Sequence, residues 1–220
     1  GLGGLAIRPS TTTAAQISGS KFEDMNGNGV RDDGDDGLEG WVIYLDLDDN
    51  GVLDDDDISV STDIDGDYNF TGLLPGNYLV REVIEGGWRQ SLPGTPLVPA
   101  GYSVNLTEGQ VSAGNDFGNY LPGAISGTKW EDLDANGIRD DVDPSISNWG
   151  IFLEGPDDEA STFTSANGNY SFTGLDPGTY TIREEIRDSY IQTFPGTGQW
   201  QVTITSSANV TDQDFGNHMG

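Results

Sequence analysis

The chain has 220 residues, with 9 Lys plus Arg against 37 Asp plus Glu, a net charge of -28, 32 Gly and no Cys. So acidic a surface repels phosphate backbones and anionic membrane faces, no stretch reaches the roughly 18 apolar residues of a spanning helix, and the N-terminus lacks a signal-peptide pattern. Zero Cys and a single His, His218, remove disulfides, thiolate catalysis and most acid–base chemistry, so a soluble non-enzyme is expected, with 5 Trp, 8 Tyr and 8 Phe to build its core.

Residues 1–15, with Gly-rich and Thr-rich runs, read as a disordered lead-in. Beyond them the chain repeats itself. Ile17-Ser-Gly-Ser-Lys21-Phe-Glu-Asp24 returns as Ile125-Ser-Gly-Thr-Lys129-Trp-Glu-Asp132, Tyr68-Asn-Phe-Thr-Gly-Leu as Tyr170-Ser-Phe-Thr-Gly-Leu, and Asp116-Phe-Gly-Asn119 as Asp214-Phe-Gly-Asn217. Each unit is about 100 residues, too long for a solenoid repeat that borrows its core from neighbours. Two tandem, independently folding domains are expected, 16–121 and 122–220, joined by a short Pro-containing linker around Leu121-Pro-Gly-Ala124. Within the first unit, Trp41-Val-Ile-Tyr-Leu45, Tyr68-Asn-Phe70, Tyr78-Leu-Val80 and Tyr102-Ser-Val-Asn-Leu106 are runs of strand formers punctuated by Gly, Pro, Asn and Asp. Asp65-Gly66 and Asn167-Gly168 read as tight hairpin turns. About seven short strands per unit and no amphipathic helix predict an all-β chain of two β-sandwiches.

Three acidic loops carry metal-ligand spacing. Asp24, Asn26, Asn28, Val30, Asp32 and Asp35 occupy positions 1, 3, 5, 7, 9 and 12 of a calcium loop, with Gly29 at the sharp turn and Val30 offering its carbonyl. The same register recurs in Asp46, Asp48, Asn50, Val52, Asp54 and Asp57, and in Asp132, Asp134, Asn136, Ile138, Asp140 and Asp143. Position 12 is Asp rather than Glu, and strands flank the loops, so these are not EF-hands. The alternative is a set of solvated acidic turns or a halophilic surface. Against it, 17 of 27 Asp fall within residues 24–36, 46–57 and 132–143, and carboxylates packed so closely repel unless a cation sits among them. Three calcium ions per chain are expected, two in the first domain and one in the second, where residues 154–159 replace the second loop. Magnesium, which demands a stricter octahedron, fits less well.

The only two lysines, Lys21 and Lys129, hold equivalent places on the first strand of each unit. Strand alternation turns Glu82 inward with Tyr78 and Val80, and Glu184 with Tyr180 and Ile182. It also sets Asn119 on the face of Phe117 and Asn217 on that of Phe215, while the side taken by Lys21 stays open. Burial together would lower the Lys pKa and raise that of Glu, leaving an uncharged amine able to attack the Asn carbonyl and expel ammonia. A surface Lys, an Arg-paired Glu and an Asn capping a strand end are the alternative on spacing alone.

Lys-Phe/Trp-Glu-Asp-x-Asn/Asp-x-Asn-Gly, Gly-x-Tyr-x-Phe-x-x-Leu-x-Pro-Gly-x-Tyr and Asp-Phe-Gly-Asn resemble the SdrD B-like repeats of bacterial surface adhesins, within the wider Cna-B group. The resemblance spans about residues 17–120 and 125–218. It implies a prealbumin-like (transthyretin-like, Cna-B type) β-sandwich in a calcium-stiffened extracellular stalk. It also implies an autocatalytic Lys–Asn isopeptide bond joining first and last strands, Lys21 to Asn119 with Glu82 and Lys129 to Asn217 with Glu184 as the promoting acids. Staphylococcal B repeats usually carry an apolar residue at the Lys position, so this chain departs toward the isopeptide-forming relatives.

The expected role is therefore a monomeric structural segment, on the cell surface or secreted, whose partners are neighbouring domains of a larger surface protein and, through that protein, a host or matrix ligand. Two rivals stand beside it. One is a glycan- or protein-recognition module using Trp88 and Tyr190, and the other is an accessory domain of a secreted hydrolase.

Overall fold

The computed structural model describes residues 13–95, 98–156 and 159–220. Among them the chain is all-β and contains no helix. The first repeat supplies β1 Ala15–Glu23, β2 Val42–Asp46, β3 Ile58–Ser61, β4 Asp67–Leu73, β5 Gly76–Glu82, β6 Arg89–Leu92, β7 Gly94–Thr95, β8 Val98–Pro99, β9 Tyr102–Leu106, β10 Val111–Ser112 and β11 Phe117–Tyr120. The second supplies β12 Gly123–Glu131, β13 Gly150–Glu154, β14 Glu159–Phe163, β15 Asn169–Leu175, β16 Gly178–Glu184, β17 Tyr190–Phe194, β18 Trp200–Ile204, β19 Asn209–Val210 and β20 Phe215–Met219. The extra elements beyond the seven or so expected per repeat are two-residue strands, too short to leave a period in the sequence. Most of the lead-in, residues 1–12, lies outside the described residues; Ala15 already pairs with Leu73 in β1.

Contacts divide the chain into two compact units. One takes the residues up to Glu23, Arg31–Glu85 and Gln90–Asn119, and the other takes Asp24–Val30, Gly86–Arg89 and Tyr120–Gly220. Each holds two main sheets, and the first also carries the two-stranded ribbon β7-β8. In the first, β3-β2-β5-β9 faces a sheet in which β1 lies between β4 and the parallel strands β10 and β11. The second repeats this with β14-β13-β16-β18 and with β12 between β15 and the parallel β19 and β20. The alternation is regular: Tyr68 and Phe70 of β4, and Tyr170 and Phe172 of β15, turn inward while their neighbours stay exposed. In the second unit they join Ile125, Trp149, Ile151, Ile182 and Phe215 in one apolar core. Burial of each such side chain stabilises by about 1.5–3 kcal/mol.

First and last strands running side by side is the feature that matters for function. Lys21 is opposite Phe117 and Glu23 opposite Asn119, and Lys129 and Glu131 stand likewise to Phe215 and Asn217. The hairpin turns help to hold this register, because the Gly66 and Gly168 carbonyls accept the Lys21 and Lys129 amides at 2.8 Å. Gly66 has a φ of +80°, and a Cβ there would stand 2.2 Å from the Lys21 carbonyl oxygen. Gly34 has a φ of +103° with open space around it. Gly66→Ala is therefore expected to cost about 3 kcal/mol, adding a backbone clash to the left-handed penalty, against about 1 kcal/mol for Gly34→Ala. Denaturant unfolding of the two variants checks this, and equal losses would overturn the steric account.

Candidate functional site

Lys21 is 0% exposed and lies beneath the Trp41 ring, with Nζ 4.5 Å from the ring centroid. It donates to Asn119 Oδ1 at 2.6 Å and stands 3.3 Å from Glu82 Oε2. The second unit reproduces the set. Lys129, also 0% exposed, donates to Asn217 Oδ1 at 2.6 Å and stands 3.3 Å from Glu184 Oε2, with Nζ 4.8 Å from the centre of the Trp149 ring. Its Nζ further donates to the carbonyls of Trp130 and Phe215, each at 3.3 Å. All six residues named from the sequence are buried and meet in two triplets, one per repeat.

The side of β1 left open by the sequence is settled by burial on both faces. Phe22, its neighbour, is equally buried, with its ring beside Gly118, while the Lys21 amine is turned to Asn119 and Glu82. Burial dominates the electrostatics of each triplet. It pushes the Glu82 carboxyl up to about 7, with Lys21 pulling the other way, and raises Glu184 for the same reason. It pushes the Lys129 amine down to about 8; Glu184 opposes this and Arg187 adds to it. The ordinary gap between an amine at 10.5 and a carboxyl at 4.5 thus narrows from both sides in the second unit. Moving a proton from Lys129 to Glu184 becomes an inexpensive step.

The three acidic loops share one pattern of local hydrogen bonds. Asp24 accepts the amides of Asn28 and Gly29, Asp46 those of Asn50 and Gly51, and Asp132 those of Asn136 and Gly137, at 2.7–3.2 Å. Asn28, Asn50 and Asn136 each accept the amide two residues on, from Val30, Val52 and Ile138. Asp35, Asp57 and Asp143 accept the amides of Asp32, Asp54 and Asp140. Asn26 and Asp134 sit at position 3 and accept the amides of Asn28 and Asn136. These bonds curl the chain so that oxygen-bearing side chains converge. Asp46, Asp48 and Asp57 bring carboxylate oxygens within 4.8 Å of one another, an all-oxygen donor set suited to a hard cation. The first loop has Asn26 where the second has Asp48, so it offers one carboxylate fewer, whereas the third, with Asp132, Asp134, Asp140 and Asp143, matches the second acid for acid.

Some participants had no signal in the sequence. Trp41 reads only as the start of a run of strand formers and Trp149 carries no reading from the sequence, yet their rings lie over the lysine amines. Arg81 donates to Asp46 Oδ2 at 2.8 Å and to Asp49 at 3.1 Å, a cation at the edge of the second loop. Burial by itself would raise the Asp46 carboxyl, but the Gly51 amide and the Arg81 guanidinium hold it below its usual value. Tyr190, an aromatic of the recognition reading, packs edge-on against Trp149 with ring centres 4.9 Å apart.

Residues 15–110 and 123–217 each match the SdrD B-like domain. Serine-aspartate repeat-containing protein F of Staphylococcus epidermidis is 31% identical over 199 residues, covering 86% of this chain and 11% of that protein. Serine-aspartate repeat-containing protein D of Staphylococcus aureus (strain Newman) is 29% identical over 194 residues, covering 80% of this chain and 14% of that protein. Among solved structures, GBS52, the minor pilin in Streptococcus agalactiae, aligns over 94% of this chain and 96% of its own at 16% identity, with a TM-score of 0.38.

Proposed function

The chain belongs to the SdrD B-like domain family, and from that premise we propose that it is a calcium-stabilised stalk segment of an extracellular surface adhesin or similar large surface protein. Its two domains, 16–121 and 122–220, act in series as a monomeric spacer with no external substrate. Each is locked by a Lys–Asn isopeptide bond. The observation that carries the reading is the buried Lys, Glu and Asn triplet, present twice with Nζ 2.6 Å from the Asn oxygen.

The chemistry needs nothing from outside. The uncharged Lys amine attacks the Asn Cγ, whose Oδ1 it already touches. Glu82 or Glu184, protonated in its apolar setting, gives a proton to the amide and takes one from the attacking nitrogen. The C–N bond to Nδ2 breaks, ammonia leaves, and Nζ and Cγ remain joined as a secondary amide. Fixed geometry replaces the encounter of two groups, so one turnover per domain is enough.

Tension enters a tandem domain through its first strand and leaves through its last, so a bond between β1 and β11, or β12 and β20, carries load past the fold. Calcium, held by the oxygens of residues 24–35, 46–57 and 132–143, would screen the repulsion among their carboxylates and order the loops; three ions offset six units of the net charge of -28. In the second loop it would compete with Arg81 for Asp46. The chain spans only 11% and 14% of the two serine-aspartate repeat proteins, so ligand recognition is assigned to other parts of the parent protein.

Intact mass under denaturing conditions tests the cross-link. The expected value lies about 34 Da below that computed from the sequence, one ammonia of about 17 Da per domain. A full computed mass would overturn it.

A further inference from the structure

The second triplet has a cation that the first does not match in sequence. Arg187 follows β16, and its guanidinium carbon lies 4.2 Å from the centre of the Trp149 ring, the ring that also receives Lys129 Nζ at 4.8 Å. Two anchors hold it there: Glu185 Oε2 accepts at 2.7 Å and the Asn148 carbonyl at 2.7 Å. Aligning Arg183-Glu-Glu-Ile-Arg187 with Arg81-Glu-Val-Ile-Glu85 sets the exposed acid Glu85 at the corresponding place in the first repeat.

An aromatic ring attracts a cation through the negative potential of its face. Where two cations share one ring they repel, and the attraction is divided. The guanidinium cannot give up its proton, whereas the buried ammonium can. We propose that Arg187 is a positioning residue for the cross-link of the second domain, acting through Trp149 to favour the uncharged, nucleophilic form of the Lys129 amine. This rests on the isopeptide reading. The charged groups around Lys129 are Glu184 from β16, Glu131 from its own strand and Arg187 itself, the last opposing the two acids. Arg187 adds no atom to the bond: Nζ still attacks Cγ of Asn217, ammonia leaves, and Glu184 still carries the proton.

The test separates the effect on the amine from the existence of the bond. In a chain carrying Asn119→Ala and Asn217→Ala no cross-link can form, and its two lysines give two side-chain 13C signals whose pH titrations are read individually. Arg187→Gln is expected to raise the Lys129 midpoint by about one pH unit, a tenfold change in the uncharged fraction near neutrality, and to leave Lys21 unmoved. Arg187→Lys, which keeps the charge, is expected to hold the midpoint close to that of the parent. In the chain with both Asn residues, Arg187→Gln is expected to slow ammonia loss from the second domain by about three- to tenfold at neutral pH, with the difference closing in alkali. An unmoved Lys129 midpoint overturns the role of Arg187. A moved midpoint in a protein that never loses ammonia upholds the effect on the amine and overturns the cross-link.

Discussion

Glu82→Gln and Glu184→Gln together are expected to restore the full computed mass and to lower the unfolding temperature by about 20–35 °C in each domain. The replacement keeps the side-chain volume but cannot pass a proton, so both lysines stay as free amines. The energetic argument comes from loop closure. Lys21 and Asn119 are 98 residues apart, and Lys129 and Asn217 are 88 apart. A covalent link closing a loop of about 100 residues removes about 4.7 kcal/mol of denatured-state entropy, by the chain-entropy account developed for disulfides. For a domain of this size each kcal/mol moves the midpoint by about 4–8 °C. Lys129 left charged beneath Trp149 without a carboxylate would add to the loss, because a buried cation stripped of its partner destabilises strongly. Scanning calorimetry beside denaturing mass spectrometry checks both parts. Variants that still show the 34 Da deficit would remove Glu82 and Glu184 from the chemistry. Variants that regain the mass but keep their unfolding temperature would remove the mechanical purpose of the bond.

Chelation of calcium is expected to have the next largest effect. At a thousandfold excess over Kd, each bound ion stabilises the folded state by about 4 kcal/mol, so the first domain, with two loops, should lose more than the second. Removing the cation also releases the repulsion among the aspartates of residues 46–57, where three carboxylates converge within 4.8 Å. The expected record is a drop of about 15 °C or more in EGTA, recovered by calcium and not by equimolar magnesium. Calorimetric titration of the chelated protein should fit three sites, with Asp46→Asn removing one. A fit to one site or to none would overturn the assignment.

Much of this was legible before any coordinates because it is local. The repeat, the period-2 alternation of Tyr68 and Phe70, the turns at Gly66 and Gly168 and the register of the acidic loops depend on spacings of two to twelve residues, which a backbone of fixed geometry turns directly into structure. The inward turn of Glu82 and Glu184 followed from the same alternation. The domain limits and the site residues were expectations of the same kind, and they stay proposals to be tested by the measurements above.

What required the tertiary structure is what depends on chain segments meeting from far apart. The alternation of β1 fails around Lys21 because Lys21 and Phe22 are both fully buried, one with Glu82 and Asn119 and the other with its ring beside Gly118, so no parity rule assigns the lysine its side. Its approach to Asn119 across 98 residues follows from the parallel pairing of first and last strands, a choice made by packing two sheets face to face. The roofing of each lysine by Trp41 or Trp149, the seat of Arg187 on the same indole and the Arg81 contact to Asp46 likewise come from loops and strands with no sequence periodicity between them. Short-range order is written in the chain by sterics and alternation, whereas the chemistry of the triplets comes from desolvation, which exists only once the two sheets have closed over them.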